Sequence, residues 1–303
     1  MLKFTKICLL ISAIMIALGL ILGGIVTVVG GRTVFREINN QFSDQNRWLR
    51  FDIFNIVGEI FDRNIPGSGI RRDLYVNGAK IAGGSYSADL PAAGVRELDI
   101  EAGLGLFDVR SWEGETIRLE IKGMGTCKYK IDSDGSLSIE GFGVEESLWR
   151  DWQGPNINPT ENRLALYLPA DLYYNEIEAS IGVGELSVSD LAVGHLEGET
   201  GVGRLTMNNI TADRLTLQTG VGVAAFSGAV RGNIKAETSI GSIDLRVSGQ
   251  KEDYNYIINC SAGSITVGGD SYSGLAAEQT VYNKADKDMD LKCSIGNIEV
   301  KFY

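Results

Sequence analysis

A short glycine-rich phrase recurs six times in this 303-residue chain: "SIGVGELSV" (180–188), "ETGVGRLTM" (199–207), "QTGVGVAAF" (218–226), "TSIGSIDL" (238–245), "CSAGSITV" (260–267) and "CSIGNIEV" (293–300). Glycine loops cradle phosphates when they join a strand to a helix N-terminus, whose amides and dipole face the anion. Here strand-like residues follow the glycines each time, and no Lys-Ser/Thr pair comes after them. The phrase is therefore a structural device and not a nucleotide loop. Carboxylates carry the next candidate chemistry. Glu178 and Glu197 hold the same place in successive repeats, two residues ahead of the phrase. Two such groups could bind a divalent cation or act as acid and base, as glycosidase carboxylates do. The plainer reading, a pair of solvated side chains on a strand face, is preferred, with Glu178 and Glu197 kept as candidate surface-binding residues.

Other reactive types are sparse. His195 is the only histidine, so a Ser-His-Asp or Cys-His nucleophile would have no second choice of base, and a two-histidine metal site is excluded. It is expected in an exposed turn, "AVGHLEG". Four cysteines without a C-x-x-C pair carry no zinc signature. Cys260 and Cys293 share one position of the repeat, so neighbouring coils would bring them together as a disulfide or as two stacked thiols. "EESLWRDWQGPNINP" (145–159) brings Trp149 and Trp152 close in sequence. Exposed tryptophans there could stack on sugars or anchor a partner; covering the open end of the fold is the alternative. No catalytic, cofactor or metal site is assigned, and the chain is expected not to be an enzyme.

The elements that must position these residues are strands. "VRELDIEAGLGLFDV" (95–109), "TIRLEIKG" (116–123), "SLSIEGF" (136–142) and "NRLALYLPA" (162–170) alternate apolar and polar residues between Gly, Asp, Asn and Pro. Aligning Gly182, Gly201, Gly220, Gly241, Gly263 and Gly296 produces steps of 19, 19, 21, 22 and 33 residues. In that alignment Ile177, Leu196, Leu215, Ala236, Ile258 and Leu291 form an inward column. Glu178, Glu197, Thr216, Glu237, Asn259 and Lys292 form an outward one. The inward parity switches at the glycine, which requires a bend or bulge. Each repeat has one thin apolar face and cannot bury it alone, so the coils must stack. The expected fold is all-β: a single-stranded β-solenoid with coils of about 19–22 residues.

Ahead of it, Ile7 to Val29 is a run of 23 residues without a charge, long enough as a helix to cross a bilayer. A cleaved signal peptide would have a shorter apolar region and a clear small-residue cleavage site. The expected organisation is a transmembrane anchor over 1–30, a juxtamembrane helical segment and linker over 31–90, and the solenoid over 91–303. Lys3 and Lys6 are nearly balanced by Arg32 and Arg36, so charge tilts the C-terminal domain outward only slightly. The chain carries a formal net charge of -11, which speaks against a nucleic-acid partner.

"LDIEAGLGLFDV", "SLSIEGF", "LALYLPADL" and the serial coils ending in "CSIGNIEVKFY" resemble bacterial β-strand-repeat proteins of unknown function that are labelled candidate adhesins. The resemblance covers roughly residues 91–303. It implies a β-solenoid facing the cell exterior, often behind an N-terminal membrane segment, and it carries over no catalytic residue. The functional expectation is a membrane-anchored, extracytoplasmic, non-enzymatic binding module whose partner is an envelope polymer or a membrane protein. The alternatives are an envelope-stress regulator acting through its N-terminal segment and a carbohydrate-active enzyme on a β-helix.

Overall fold

The computed structural model describes residues 73–143 and 162–303, without the side chains of 274–276. Residues 7–29, the 31–66 segment, Trp149 and Trp152 lie outside the described residues. Among those that are described there is no α-helix, and no helix long and apolar enough to cross a membrane.

The strands are β1 (Leu74–Val76), β2 (Ala79–Ile81), β3 (Ser85–Pro91), β4 (Glu97–Trp112), β5 (Thr116–Lys122), β6 (Gly125–Ile131) and β7 (Ser136–Gly143), followed by β8 (Arg163–Pro169) and β9 (Tyr174–Ser189). Then come β10 (Ala192–Val230), β11 (Ile234–Val247), β12 (Tyr254–Val267), β13 (Asp270–Val281) and β14 (Lys287–Phe302). They join in one unclosed sheet ordered β13-β12-β14-β11-β10-β9-β4-β7-β6-β1-β2, with β3, β5 and β8 attached along the second half of β4. The stretch read as linker is part of this sheet. β1 pairs with β6 and β3 with β5, and both bury apolar residues: Leu74, Val76 and Leu90.

Each long strand is a coil with two arms joined at a glycine. Ile177, Ala179 and Ile181 are buried before the bend in β9, and Leu186 and Val188 after it. The arms face each other across a thin interior: a Cβ on Gly198 would lie 2.2 Å from Met207 Cε and 3.1 Å from Leu205 Cδ2. Neighbouring coils pair in parallel, so Ile177 lies beside Leu196, and Ile234 beside both Leu215 and Met289. β10 supplies two coils, and the backbone bonds from Thr211 N to Leu191 O and from Arg231 N to Ala212 O tie each to the chain before it.

Two features of the expected repeat are corrected. The bend is not at Gly182, Gly201 and Gly220 but two residues later. The column of positive φ runs Gly105, Gly184, Gly203, Gly222, Gly241, Gly296 and Gly263. Because side chains alternate with a period of two, a two-residue slip leaves the inward and outward pattern intact, and hydrophobicity alone cannot detect it. Nor do the last coils stack in chain order. The chain passes from β11 to β12, turns back through β13, and returns as β14 between β11 and β12. The insertion at 268–290 is thus largely a strand, antiparallel to β12 at the sheet edge.

Candidate functional site

Glu178 and Glu197 are direct neighbours on β9 and β10, as their spacing implies. Their true column is Asp99–Glu178–Glu197, and beyond Thr216 it continues through Lys235, Asp290 and Ile257, not Glu237, Lys292 and Asn259. Glu101, Glu140, Glu176 and Glu199 stand on the same face. Loss of water on the packed face raises the Glu178 carboxyl above its ordinary value, and Glu197, Glu176 and Asp99 add to the shift. Asp99, Glu101 and Glu199 are raised in the same way, first by burial and then by neighbouring carboxylates. Farther along, Lys292 bridges Glu237 at 3.0 Å and Asp290 at 2.9 Å, so the face is balanced there. Among the described residues no three His, Cys, Asp or Glu side chains converge to hold a metal.

His195 does not sit in an exposed turn. It lies within β10 with its side chain 17% exposed, its Nδ1 2.6 Å from Glu176 Oε1 and its Nε2 3.2 Å from Thr216 Oγ1. It links three coils side to side. Cys260 and Cys293 are buried neighbours across β12 and β14, both as free thiols. Burial, with Cys260 beside it, pushes the Cys293 thiol up to about 12. Such a thiol is a packing group and a poor nucleophile.

The glycine phrase has its own outward side chain. Between its two small residues stands one aliphatic residue per coil: Leu104, Val183, Val202, Val221, Ile240, Ile295 and Ala262, in spatial order. They form one continuous column at the bend, and Ile240 and Ile295 are 39% and 54% exposed. Gly or Ser residues flank it on each strand, and Leu104, Val183, Val202, Val221 and Ala262 are half-buried.

A trough lies on the outward face of the second arms, across β3, β5, β8, β4 and β9. Its floor is the row Ser87, Glu120, Ala165, Asp108 and Ser187, which are registered neighbours. Small residues in that row leave a depression of about 670 Å³ between longer neighbours. One wall holds Lys122 and Arg163. The other holds Tyr167 and Arg110, whose guanidinium lies 4.7 Å from the Tyr167 ring centroid and whose Nη2 donates to Tyr167 Oη at 2.9 Å. Arg110 also pairs with Asp108 at 3.2 Å. Behind this wall, Trp112 donates from Nε1 to Thr116 O at 2.8 Å, while Arg118 stacks on its ring at 4.3 Å and pairs with Asp89 at 2.9 Å. Nothing in the linear sequence marks the trough. The outward parity of Asp108, Arg110, Ala165 and Tyr167 is readable, but β8 lies outside the repeat and its register against β4 is not.

Residues 95–229 match the family model described as Toastrack DUF4097. No curated protein matches the chain. Among solved structures, a candidate cell adhesion protein from Clostridium sporogenes is 15% identical with a TM-score of 0.47, over 72% of this chain and 99% of its own. A candidate adhesin from Bacteroides fragilis is 12% identical with a TM-score of 0.29, over 71% and 96%. A candidate lipid binding protein from Parabacteroides distasonis is 14% identical with a TM-score of 0.24, over 73% and 98%.

Proposed function

We propose that this chain, whose residues 95–229 are a Toastrack domain, is a membrane-anchored, non-enzymatic binding module that holds a β-solenoid of 19–22-residue coils outside the cell. Residues 7–29 serve as its anchor, and the partner is a polymer or protein of the cell envelope. The observation that carries this reading is the aliphatic column at the coil bends, exposed at Ile240 and Ile295 and half-buried at the other five positions. Soluble domains rarely leave a long contiguous apolar stripe in water unless something covers it, and here one aliphatic side chain per coil repeats through seven coils. Seven residues spaced by about 4.8 Å make a stripe of roughly 29 Å. A ladder of that length suits adhesion, in which many weak contacts add along one direction.

The test is protease treatment of intact cells, followed by capture of envelope fractions with the full chain. Surface digestion of the β domain and envelope retention that is lost in an Ile240→Asp, Ile295→Asp double variant are expected. Digestion only after lysis, or unchanged retention by the double variant with its melting temperature intact, would refute the reading.

A further inference from the structure

The trough offers a second surface, independent of the aliphatic column. Lys122 and Arg163 stand directly opposite each other across β5 and β8. Like charges so placed repel, and neither has an ion-pair partner among the described residues. The other cations nearby are matched: Arg110 by Asp108, Arg118 by Asp89 and Arg204 by Glu185. Among the described residues, this pair of positive charges therefore stands without a carboxylate partner at the wall of the trough, in a chain whose net charge is -11. We propose that this trough binds an acidic oligosaccharide, with a sugar carboxylate on the Lys122–Arg163 pair and neighbouring hydroxyls along the floor.

The floor selects this chemistry. Glu120 and Asp108 accept hydrogen bonds from hydroxyl groups but repel a second anion. A nucleic acid or polyphosphate, charged at every unit, meets that repulsion. A sugar acid, with one carboxylate among several hydroxyls, does not. Ser87 and Ser187 add hydroxyls that donate or accept. Tyr167 on the opposite wall, its hydroxyl bonded to Arg110 and 3.4 Å from Glu120 Oε2, supplies a rigid amphipathic edge. The floor crosses five strands, roughly 19 Å at about 4.8 Å per strand, and its volume falls within the range of small-molecule sites. It is long enough for several linked rings.

Calorimetric titration of the detergent-solubilised full chain tests this, with a tetramer that carries one glucuronate among three neutral sugars, its methyl ester and sodium tripolyphosphate as probes. Saturable binding of the tetramer is expected, at least about tenfold weaker for the ester and for a Lys122→Ala, Arg163→Ala double variant. Tripolyphosphate should not compete with the wild type, whereas Glu120→Gln should admit it as a competitor. The assignment is overturned if the tetramer shows no saturable binding, if the ester binds equally well, or if tripolyphosphate competes equally against wild type and Glu120→Gln. Unchanged binding by a folded double variant overturns it too. Failure of this titration leaves the aliphatic column and its envelope partner untouched, and loss of envelope capture leaves the titration readable.

Discussion

At the scale of single residues, the bend glycines and the buried threonines are the sharpest cases. Gly222 has a φ of +146°, and a Cβ there would lie 1.9 Å from the carbonyl oxygen of Gly203 in the coil beneath. Gly222→Ala therefore combines backbone strain with a backbone collision, and a loss of about 2–4 kcal/mol in urea unfolding is expected. Gly269, with φ +93° and nothing within 4 Å of an added Cβ, is the control; Gly269→Ala should lose only about 1 kcal/mol. Equal losses at the two sites would show that stacking plays no part. Thr200, Thr219 and Thr238 form an inward ladder whose hydroxyls are buried without partners. Replacing such a group by an apolar one of the same shape removes a desolvation penalty. Thr219→Val should raise stability by about 1 kcal/mol, seen as a shift of roughly 2–4 °C in melting temperature. A lower melting temperature would mean that the hydroxyl has a partner in solution.

At the scale of elements, the sheet begins at Leu74, well before the repeats. β3 covers the outer edge of β5, and β1 covers β6, with Leu74 and Val76 at 0% and 3% exposure. A fragment of residues 91–303 strips both strands away and exposes the edges they protect. It should aggregate or melt well below a fragment of 73–303, as light scattering and circular dichroism would report. Identical melting of the two would assign β1–β3 no structural role. The C-terminal end is secured differently: β14 is inserted between β11 and β12, so the last residues of the chain lie inside the stack and not at its edge. Cys260 and Cys293 meet across that insertion.

At the scale of the whole molecule, charge is unevenly placed. Asp99, Glu101, Glu178 and Glu199 all have raised carboxyls, from ordinary values of 3.8 for Asp and 4.5 for Glu. The folded state thus holds protons more tightly than the unfolded chain. Their contribution to stability is complete below the ordinary carboxylate values and is lost as pH rises through the raised ones. Glu237 acts in the opposite sense. Burial raises it, but Lys292 and Lys235 outweigh that and lower it, so its contribution is present above the ordinary value and lost as pH falls. Asp213 is lowered as well, by its hydrogen bond from Tyr173 and by Arg231, while burial raises Asp108; with five raised groups against two, melting temperature should decline from mildly acidic to neutral pH. Glu178→Gln should flatten that decline and raise the melting temperature at pH 7. A steeper decline in the variant would contradict the acidic-face account.

Much of this was legible in the linear sequence. Strict alternation and a 19-residue step in "SIGVGELSV" and its copies are enough to dictate strands, stacking and an all-β domain, because a period of two has only one way to bury its apolar half. They also place Glu178 beside Glu197, and they put Cys260 and Cys293 at one position of the repeat, which β12 and β14 bring together. Tertiary structure alone decided the rest. Which glycine of each phrase bends, Gly203 rather than Gly201, is invisible to a pattern that repeats every two residues. The insertion of β14 is likewise invisible, since parallel neighbours with the same inward face are interchangeable until the connections are drawn. The Lys122–Arg163 pair depends on an antiparallel register between strands outside the repeat. Local chemistry set the periodicity; only packing, which fixes register and neighbour order, could set which side chains meet.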